Sequence, residues 1–459
     1  MKKVKVSHLL VILLVVLAIG LINPLNLDYN QTILFSSLVL TIGLWATNAV
    51  HKSLACVFFL IMSFIFGKTP ILHIVNFMWS DTNLLILTTT LLSVGIMKTG
   101  IVHRYVEKLL KENASNIFML LLLPYIFGIV LVFLIPQAFA RVIIIGTIFN
   151  SLLIANNDTE RRAKEALIFN AFIAVIMTCM FFYSGDIVLN HAAVNFAGEE
   201  VKEILTFGTW FKLMSLPTLI ACFVSLFLTY FIFKKDLKGF SIQMISKDHM
   251  EMEEVSKAKQ QISALAMIII ILLWATQNLH SLSSWLVALA GVILMYALNI
   301  LKKEDLKSIN PHFILFLLTA FSIGKILGQS GITAAIFDNL QKIIPASNSS
   351  FYLLIIGVVA MVLHVLIGSA VATLSVIIPI LLPLTGSLGY RPEIVTLMLY
   401  VIVNIHFFLP FHHATIMIGI GSDYYPEKHI VKFGVPMTVI TFFLLGMVYF
   451  KWWEILKVL

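Results

Sequence analysis

Apolar runs dominate the chain, and their lengths are the first thing to read. Windows long enough to cross a bilayer, about 17–25 residues each, recur at roughly 8–24, 31–50, 54–67 (short), 83–98, 165–195, 210–233, 262–278, 284–300, 312–328, 394–420 and 432–450. Two further apolar stretches, 115–156 and 350–386, are too long for one crossing, and small or polar residues interrupt each midway. They read as re-entrant hairpins of two half-helices, because irregular backbone at membrane depth survives only where protein shields it. The pattern predicts an all-α polytopic membrane protein, with about 11 transmembrane helices plus two re-entrant hairpins.

Composition agrees. Hydrophobic residues make up 60% of the 459 and charged residues 12%, whereas a soluble domain carries about 25% charged residues. Such a chain cannot cover a water-facing surface, which excludes a soluble enzyme. A pI near 9.2 raises the question of nucleic acid. The Lys and Arg sit between apolar runs, so the excess is a topology signal and no nucleic-acid partner is expected. Cys56, Cys179 and Cys222 lie inside apolar stretches and imply no disulfide framework. MKKVKVSH followed by an apolar run lacks a small-residue cleavage site and reads as an uncleaved first span.

The charges test the layout. With the N-terminus cytoplasmic, eleven spans, and each hairpin returning to its own side, most of the 31 basic residues fall inside. They include Lys52, Lys98, Arg104, Lys108, Arg161 and the lysines of the polar 234–261 segment. The acidic AGEEVKE stretch (197–203) falls outside, and the C-terminus is external. This is the bias of the positive-inside rule. The chain then divides into an N-terminal half (1–233), a solvated cytoplasmic linker (234–261) and a C-terminal half (262–459).

An internal repeat crosses the linker. SVGIMKTGI (93–101) precedes the first hairpin and SIGKILGQSGI (322–332) the second. FLIPQAFARVII (133–144) aligns with LIGSAVATLSVII (366–378), so that Pro136 matches Gly368, Gln137 matches Ser369 and Arg141 matches Thr373. An odd number of crossings separates the copies, so the halves are inverted repeats. Inverted repeats with helices broken near the midplane are the signature of secondary transporters.

On these residues, and on ILFSSLVLTIGLWATNAVHKSLACVFFLIMSFIFG (33–67) and FFLPFHHATIMIGIGSDYYPEKHIVKFGVPM (407–437), the chain resembles the divalent anion:sodium symporter family of the ion transporter superfamily. The resemblance implies a homodimer with a scaffold and a moving unit, and elevator-type alternating access. It also implies an inward hairpin at 115–156, an outward hairpin at 350–386, and broken helices at 165–195 and 394–420. Substrate would bind where the hairpin tips meet the unwound loops around 178–190 and 410–421. The family's Ser-Asn-Thr hairpin signature is absent, since the tips read Gln137-Ala138-Phe139 and Ser369-Ala370-Val371. Sodium takes several oxygen ligands, as hard cations do, and Ala, Phe and Val side chains supply none. No metal site is therefore assigned, no cofactor is expected, and the coupling ion stays open between sodium and proton.

Three charges fall within the predicted hydrocarbon region: Arg141, Asp186 and Lys325. Each costs about 2.5–3.5 kcal/mol on insertion scales and is a functional candidate by default. Arg141 and Asp186 read either as a buried ion pair or as an anion grip. In the second reading the guanidinium, which cannot lose its proton, replaces sodium and offers its fork to a carboxylate or oxyanion. Lys325 lies near the outer end of its span and snorkels. His406, His412 and His413 cluster with Thr415. Neighbouring histidines on one helix diverge by about 100°, so His412 and His413 do not share one metal. They are left for hydrogen bonding, substrate contact or proton coupling. Ser184, Gly185 and Asp186 form the repeat-related partner of 410–413. Gly368, Ser369 and Thr373 offer hydroxyls and a half-helix N-terminus, or simply a close packing surface. Pro379 and Pro383 shape the returning hairpin arm, and Trp452 and Trp453 read as an interfacial anchor.

The candidate substrate-binding set is thus Gln137, Arg141, Ser184, Gly185, Asp186, Gly368, Ser369, Thr373, His412, His413 and Thr415. The function read from it is secondary active transport of a small anion across a cell membrane, with no catalytic residues. That anion is a di- or tricarboxylate or an inorganic oxyanion. A cation/proton exchanger titrating Asp186 is the alternative. A membrane enzyme acting on a lipid-linked substrate is a more distant one.

Overall fold

The computed structural model describes residues 6–47, 49–246, 255–343, 350–407, 409 and 412–459. Lys2, Lys3 and Lys5, the middle of the linker (247–254), and Pro410 lie outside the described residues. The regular structure of the described residues is helix, apart from an isolated bridge between Leu153 and Ile245. Five of the helices are long and apolar enough to cross a membrane.

The first half opens with α1 (Val6–Ile22), α2 (Tyr29–Thr47) and α3 (Lys52–Phe66). After a short α4 (Ile71–Val75) comes α5 (Asp81–Thr99). Gly100 stops α5 in the left-handed conformation (φ 68°), which a glycine adopts without a Cβ penalty. The chain continues as α6 (Ile101–Glu112). Val102, Val106 and Leu110 are buried, while Arg104 and Lys108 are exposed. A twelve-residue helix with one apolar stripe lies along a surface rather than across a bilayer. The i, i+4, i+8 spacing of Val102, Val106 and Leu110 carries this helix in the sequence, although the run is too short and too charged to mark a span.

Two half-helices follow, α7 (Ile117–Leu131) and α8 (Ala138–Leu152), with their tip at 132–137. Next come α9 (Asp158–Thr178), an unwound stretch, α10 (Leu189–Ala197), α11 (Glu199–Ile204) and the long α12 (Phe207–Leu237). Beyond α12 the chain does not leave for solvent at once. Met244 is buried, and the Ser246 and Ile154 amides donate to the Leu152 and Met244 carbonyls, both at 2.7 Å. The start of the linker is therefore tied to the foot of the first hairpin, contrary to the fully solvated segment its polarity predicts.

The second half begins with α13 (Lys257–Ala275), α14 (Gln277–His280) and α15 (Ser284–Ala297). It then repeats the order of the first. α16 (Pro311–Ser330) ends on a left-handed glycine, Gly331 (φ 83°), and leads into the amphipathic α17 (Ile332–Ile343). The half-helices α18 (Ser350–Ile367) and α19 (Ala370–Gly386) meet at Gly368 (φ 70°) and Ser369. Pro379 and Pro383 lie inside α19, and a Cβ on Gly324 of α16 would sit 2.8 Å from the Pro379 ring. A second interrupted helix is formed by α20 (Pro392–Ile405) and α21 (Ala414–Gly421). The last span is α22 (Lys428–Leu444), a π-turn (Leu445–Tyr449) and α23 (Phe450–Ile455).

The centre of the molecule is α20, buried from Glu393 to Ile405, together with the second half of α9. Apolar burial alone does not order such a centre, because lipid tails are as apolar as leucine. Polar bonds do. Tyr400 donates to the Asn190 side-chain oxygen at 2.7 Å and the Asn404 amide to the Ile176 carbonyl at 3.1 Å, joining the two interrupted helices. Trp452 and Trp453 correct their predicted role. Their indole N–H groups donate to the Lys212 and Leu213 carbonyls at 2.9 and 3.0 Å, and Trp453 is wholly buried. Both pin the last helix to α12, and Trp453, being buried, is not free to face an interface, whereas Trp452 stays half-exposed. Lys325 is exposed on α16.

Candidate functional site

Unwinding α9 leaves backbone carbonyls without helical partners inside the protein, so they need donors from elsewhere. Three side chains provide them. The Asn190 amide donates to the Cys179, Phe182 and Tyr183 carbonyls at 3.1, 2.9 and 3.2 Å. Trp210 donates to the Met180 carbonyl at 2.9 Å. Arg141 donates to the Gly185 carbonyl, to the Ile135 carbonyl at 2.9 Å and to the Cys179 thiol at 2.9 Å. Gly185 is required here, since a Cβ would lie 2.0 Å from the Cys179 carbonyl oxygen. Asp186 caps α10, accepting from the Val188 and Leu189 amides at 3.0 and 3.4 Å, the favourable place for a carboxylate at a helix N-terminus. The Ile187 amide reaches the Pro136 carbonyl at 3.3 Å, so the first hairpin tip rests on the break. The Gln137 side chain holds that tip to α5 through the Thr90 hydroxyl at 2.7 Å and the Ile86 carbonyl at 3.2 Å.

The second break is built differently. His413 bonds the Thr415 hydroxyl at 3.0 Å and the Asn404 side-chain oxygen at 3.2 Å. His412 points elsewhere, packing against His364 and His406 with ring centroids 4.6 and 5.7 Å away. Thr373 is wholly buried on α19.

Two cavities approach the first break from different neighbours. One, of about 550 Å³, is lined by Asp186, Val188 and Leu189, by Ser369, Ala370 and Val371 of the second hairpin, and by His413 and Thr415. Its remaining wall is Phe139, the 49–53 turn with His51 and Lys52, and the start of α16 with Asn310 and His312. The other, of about 690 Å³, is lined by Tyr183, Ser184, Ile187, His191, Asp81, Lys202 and Trp285 among others. The stretch 183–189 is the partition between them. Of the residues singled out in the sequence, Asp186, Ser369, His413 and Thr415 line the smaller cavity and Ser184 the larger. Gln137, Arg141, Gly185, Gly368, Thr373 and His412 line neither. Arg141 is wholly buried and turned toward backbone, and no ion pair within 4.0 Å joins it to Asp186 among the described residues.

Sequence reasoning missed Lys52, His51 and His312. Ser53 bonds His312 at 2.9 Å, the two imidazoles sit 4.7 Å apart, and the Lys52 ammonium lies 5.8 Å from the Phe316 ring centre. Along the sequence Lys52 reads only as a topology charge at a span end. Its role in a cavity wall depends on α3 meeting α16, which no spacing along the chain reveals.

With the geometry in place, the sequence matches the family described as the sodium:sulfate symporter transmembrane region over residues 2–459. The chain belongs to that family. No curated protein matches it. Among solved structures it is similar to the YdaH transporter of Alcanivorax borkumensis, whose description notes an unusual topology. The TM-score is 0.55 at 13% identity, over 93% of this chain and 99% of that one. That likeness speaks for the fold alone. As a member of the sodium:sulfate symporter family, the protein is a multi-pass membrane protein and a secondary transporter.

Proposed function

We propose that the protein carries a small anion, a di- or tricarboxylate or an inorganic oxyanion, across a cell membrane by alternating access. The observation that carries this is the pair of cavities ending on the two sides of 183–189. Under the charge-derived topology, the 49–53 turn and the start of α16 face the cytoplasm, while Asp81 and residues 274–285 face outward. The 550 Å³ cavity then opens inward and the 690 Å³ cavity outward, with the break between them. Lys52, with the His51 and His312 rings beside it, gives the inward cavity a positively charged mouth that attracts an anion. Ser369, Thr415 and the N-termini of α19 and α21 supply donors deeper in.

An elevator movement of the hairpins and broken helices against a scaffold, within a homodimer, belongs to the same proposal. So does transport that does not require sodium: the Gln137 side chain is spent on α5, and the Ala138 and Phe139 side chains carry no oxygen. Asp186 in the cavity wall favours a second reading, a cation/proton exchanger.

Counterflow in proteoliposomes separates the two. Labelled succinate, citrate, sulfate and phosphate are offered with and without sodium. Accumulation of one anion, lowered about tenfold or more in Lys52→Gln, is expected. Anion counterflow absent for all four, together with pH-driven sodium flux that Asp186→Asn abolishes, would establish the exchanger instead.

A further inference from the structure

Among the described residues, one group of three potential metal-ligating side chains converges, and none of the transport argument uses it. His364 comes from α18, His406 from the end of α20, and His412 from the second break. All three are buried, at 0%, 1% and 0% exposure. Their ring centroids are 4.6, 5.6 and 5.7 Å apart, and one ring nitrogen of each lies within 4.8 Å of the other two. His364 is brought by the second hairpin to the two histidines that flank the break after α20, so the cluster joins two separate elements in the interior.

We propose that His364, His406 and His412 form a binding site for a divalent transition metal, with zinc as its chemical type. Neutral imidazole is a borderline ligand that suits zinc, cobalt or nickel and not sodium, calcium or magnesium, which demand oxygen. Zinc–nitrogen bonds of about 2.0–2.1 Å in a tetrahedron set the nitrogens roughly 3.3 Å apart. The three ligand nitrogens already lie within 4.8 Å of one another, so each pair has at most about 1.5 Å to close to reach that value. Three histidines fill three positions and leave the fourth for water or a small anion. The divergence of His412 and His413 is what makes this possible. His413 faces Asn404 and the cavity, and His412 faces His364.

The ion would join the first arm of the second hairpin to the break between α20 and α21. The Gly368 amide hangs directly on the His364 carbonyl at 2.8 Å, and Ser369 follows it into the cavity wall. Zinc would therefore brace the hairpin tip against the segment carrying His413.

The test uses the purified full-length protein in detergent, stripped with a chelator and titrated separately with ZnCl₂ and CoCl₂. One equivalent per chain is expected, with the visible absorption of four-coordinate cobalt. His364→Asn and His406→Asn are each expected to weaken zinc binding at least tenfold. His429→Asn, buried outside the cluster, and His51→Asn are expected to leave it unchanged. Failure of the unmutated protein to bind either metal overturns the proposal, whatever the variants do. So does binding that His51→Asn removes and His364→Asn leaves intact. Neither readout involves transport, so either failure leaves the anion-transport reading untouched.

Discussion

The two interrupted helices occupy equivalent places in the repeat but are closed by different chemistry. In the first, bare carbonyls from 179 to 185 are met by a guanidinium, an amide and an indole, and the backbone passes a glycine with no room for a Cβ. In the second, the described side chains are imidazoles and small hydroxyls, one histidine turned to Asn404 and another to His364. A guanidinium keeps its charge and its five donors under all conditions. An imidazole can be donor, acceptor or metal ligand. The difference is that Arg141 closes one break with donors of fixed charge, while the other presents groups whose role depends on the partner they meet.

Breaking the first region should therefore cost stability before it costs specificity. The largest effect is expected for Arg141→Leu, which leaves the Gly185 and Ile135 carbonyls without donors. With about 1–3 kcal/mol for each stranded buried group, unfolding in detergent should move down by roughly 3 kcal/mol or more, read from denaturant midpoints. Arg141→Lys should recover only part of this, since a lysine has no fork. Were Arg141→Leu fully stable but unable to bind substrate, the structural assignment of this side chain would be wrong.

Gly185→Ala comes next. Its methyl meets a backbone oxygen, so the break itself must shift, at about 1–3 kcal/mol. The equivalent change at Gly386, where nothing lies within 4 Å, should be close to neutral. Thermal unfolding of the two variants side by side checks the contrast. Tyr400→Phe then removes the bond to Asn190 that ties the two breaks together. The loss should be about 1 kcal/mol, and smaller than the Arg141 effect if the first break is held mainly from within its own half.

The smallest effect lies outside the membrane. Partial burial pushes the Asp305 carboxyl up, but the Lys98 ammonium at 2.7 Å and the Lys302 amide more than offset it, so its pKa ends below the usual value. A lowered carboxylate pKa stabilises the fold above the ordinary value of about 3.9 and loses that contribution as pH falls through the folded one. Asp305→Asn should thus matter slightly at pH 7, by a few tenths of a kcal/mol for so exposed a pair. At pH 3 the difference from the unmutated protein should shrink, as a melting series across pH would show.

Much of the architecture can be read along the chain. Hydrophobic run length marks the spans, the small or polar interruptions at 136–137 and 368–369 mark the hairpin tips, and paired Ser-x-Gly and Gly-Ile signals mark the repeat. The stop at Gly100 and at Gly331 is legible because only glycine enters that backbone region without strain. α6 is legible from the periodicity of Val102, Val106 and Leu110 and not from run length.

The rest is decided by where helices touch. The sequence determined that Arg141 and Asp186 lie at membrane depth, because hydropathy is a property of a local window. Only the tertiary structure decided that Arg141 faces carbonyls while Asp186 faces a cavity. Lys52 joins that cavity, His364 meets His406 and His412, and Trp453 is buried, for the same reason. A bilayer sets the depth of a residue from its neighbours along the chain, but the side of the helix it uses is set by packing partners on other elements, tens to hundreds of residues away. Dispersion and hydrogen bonding between helices choose among rotations that hydropathy leaves equal.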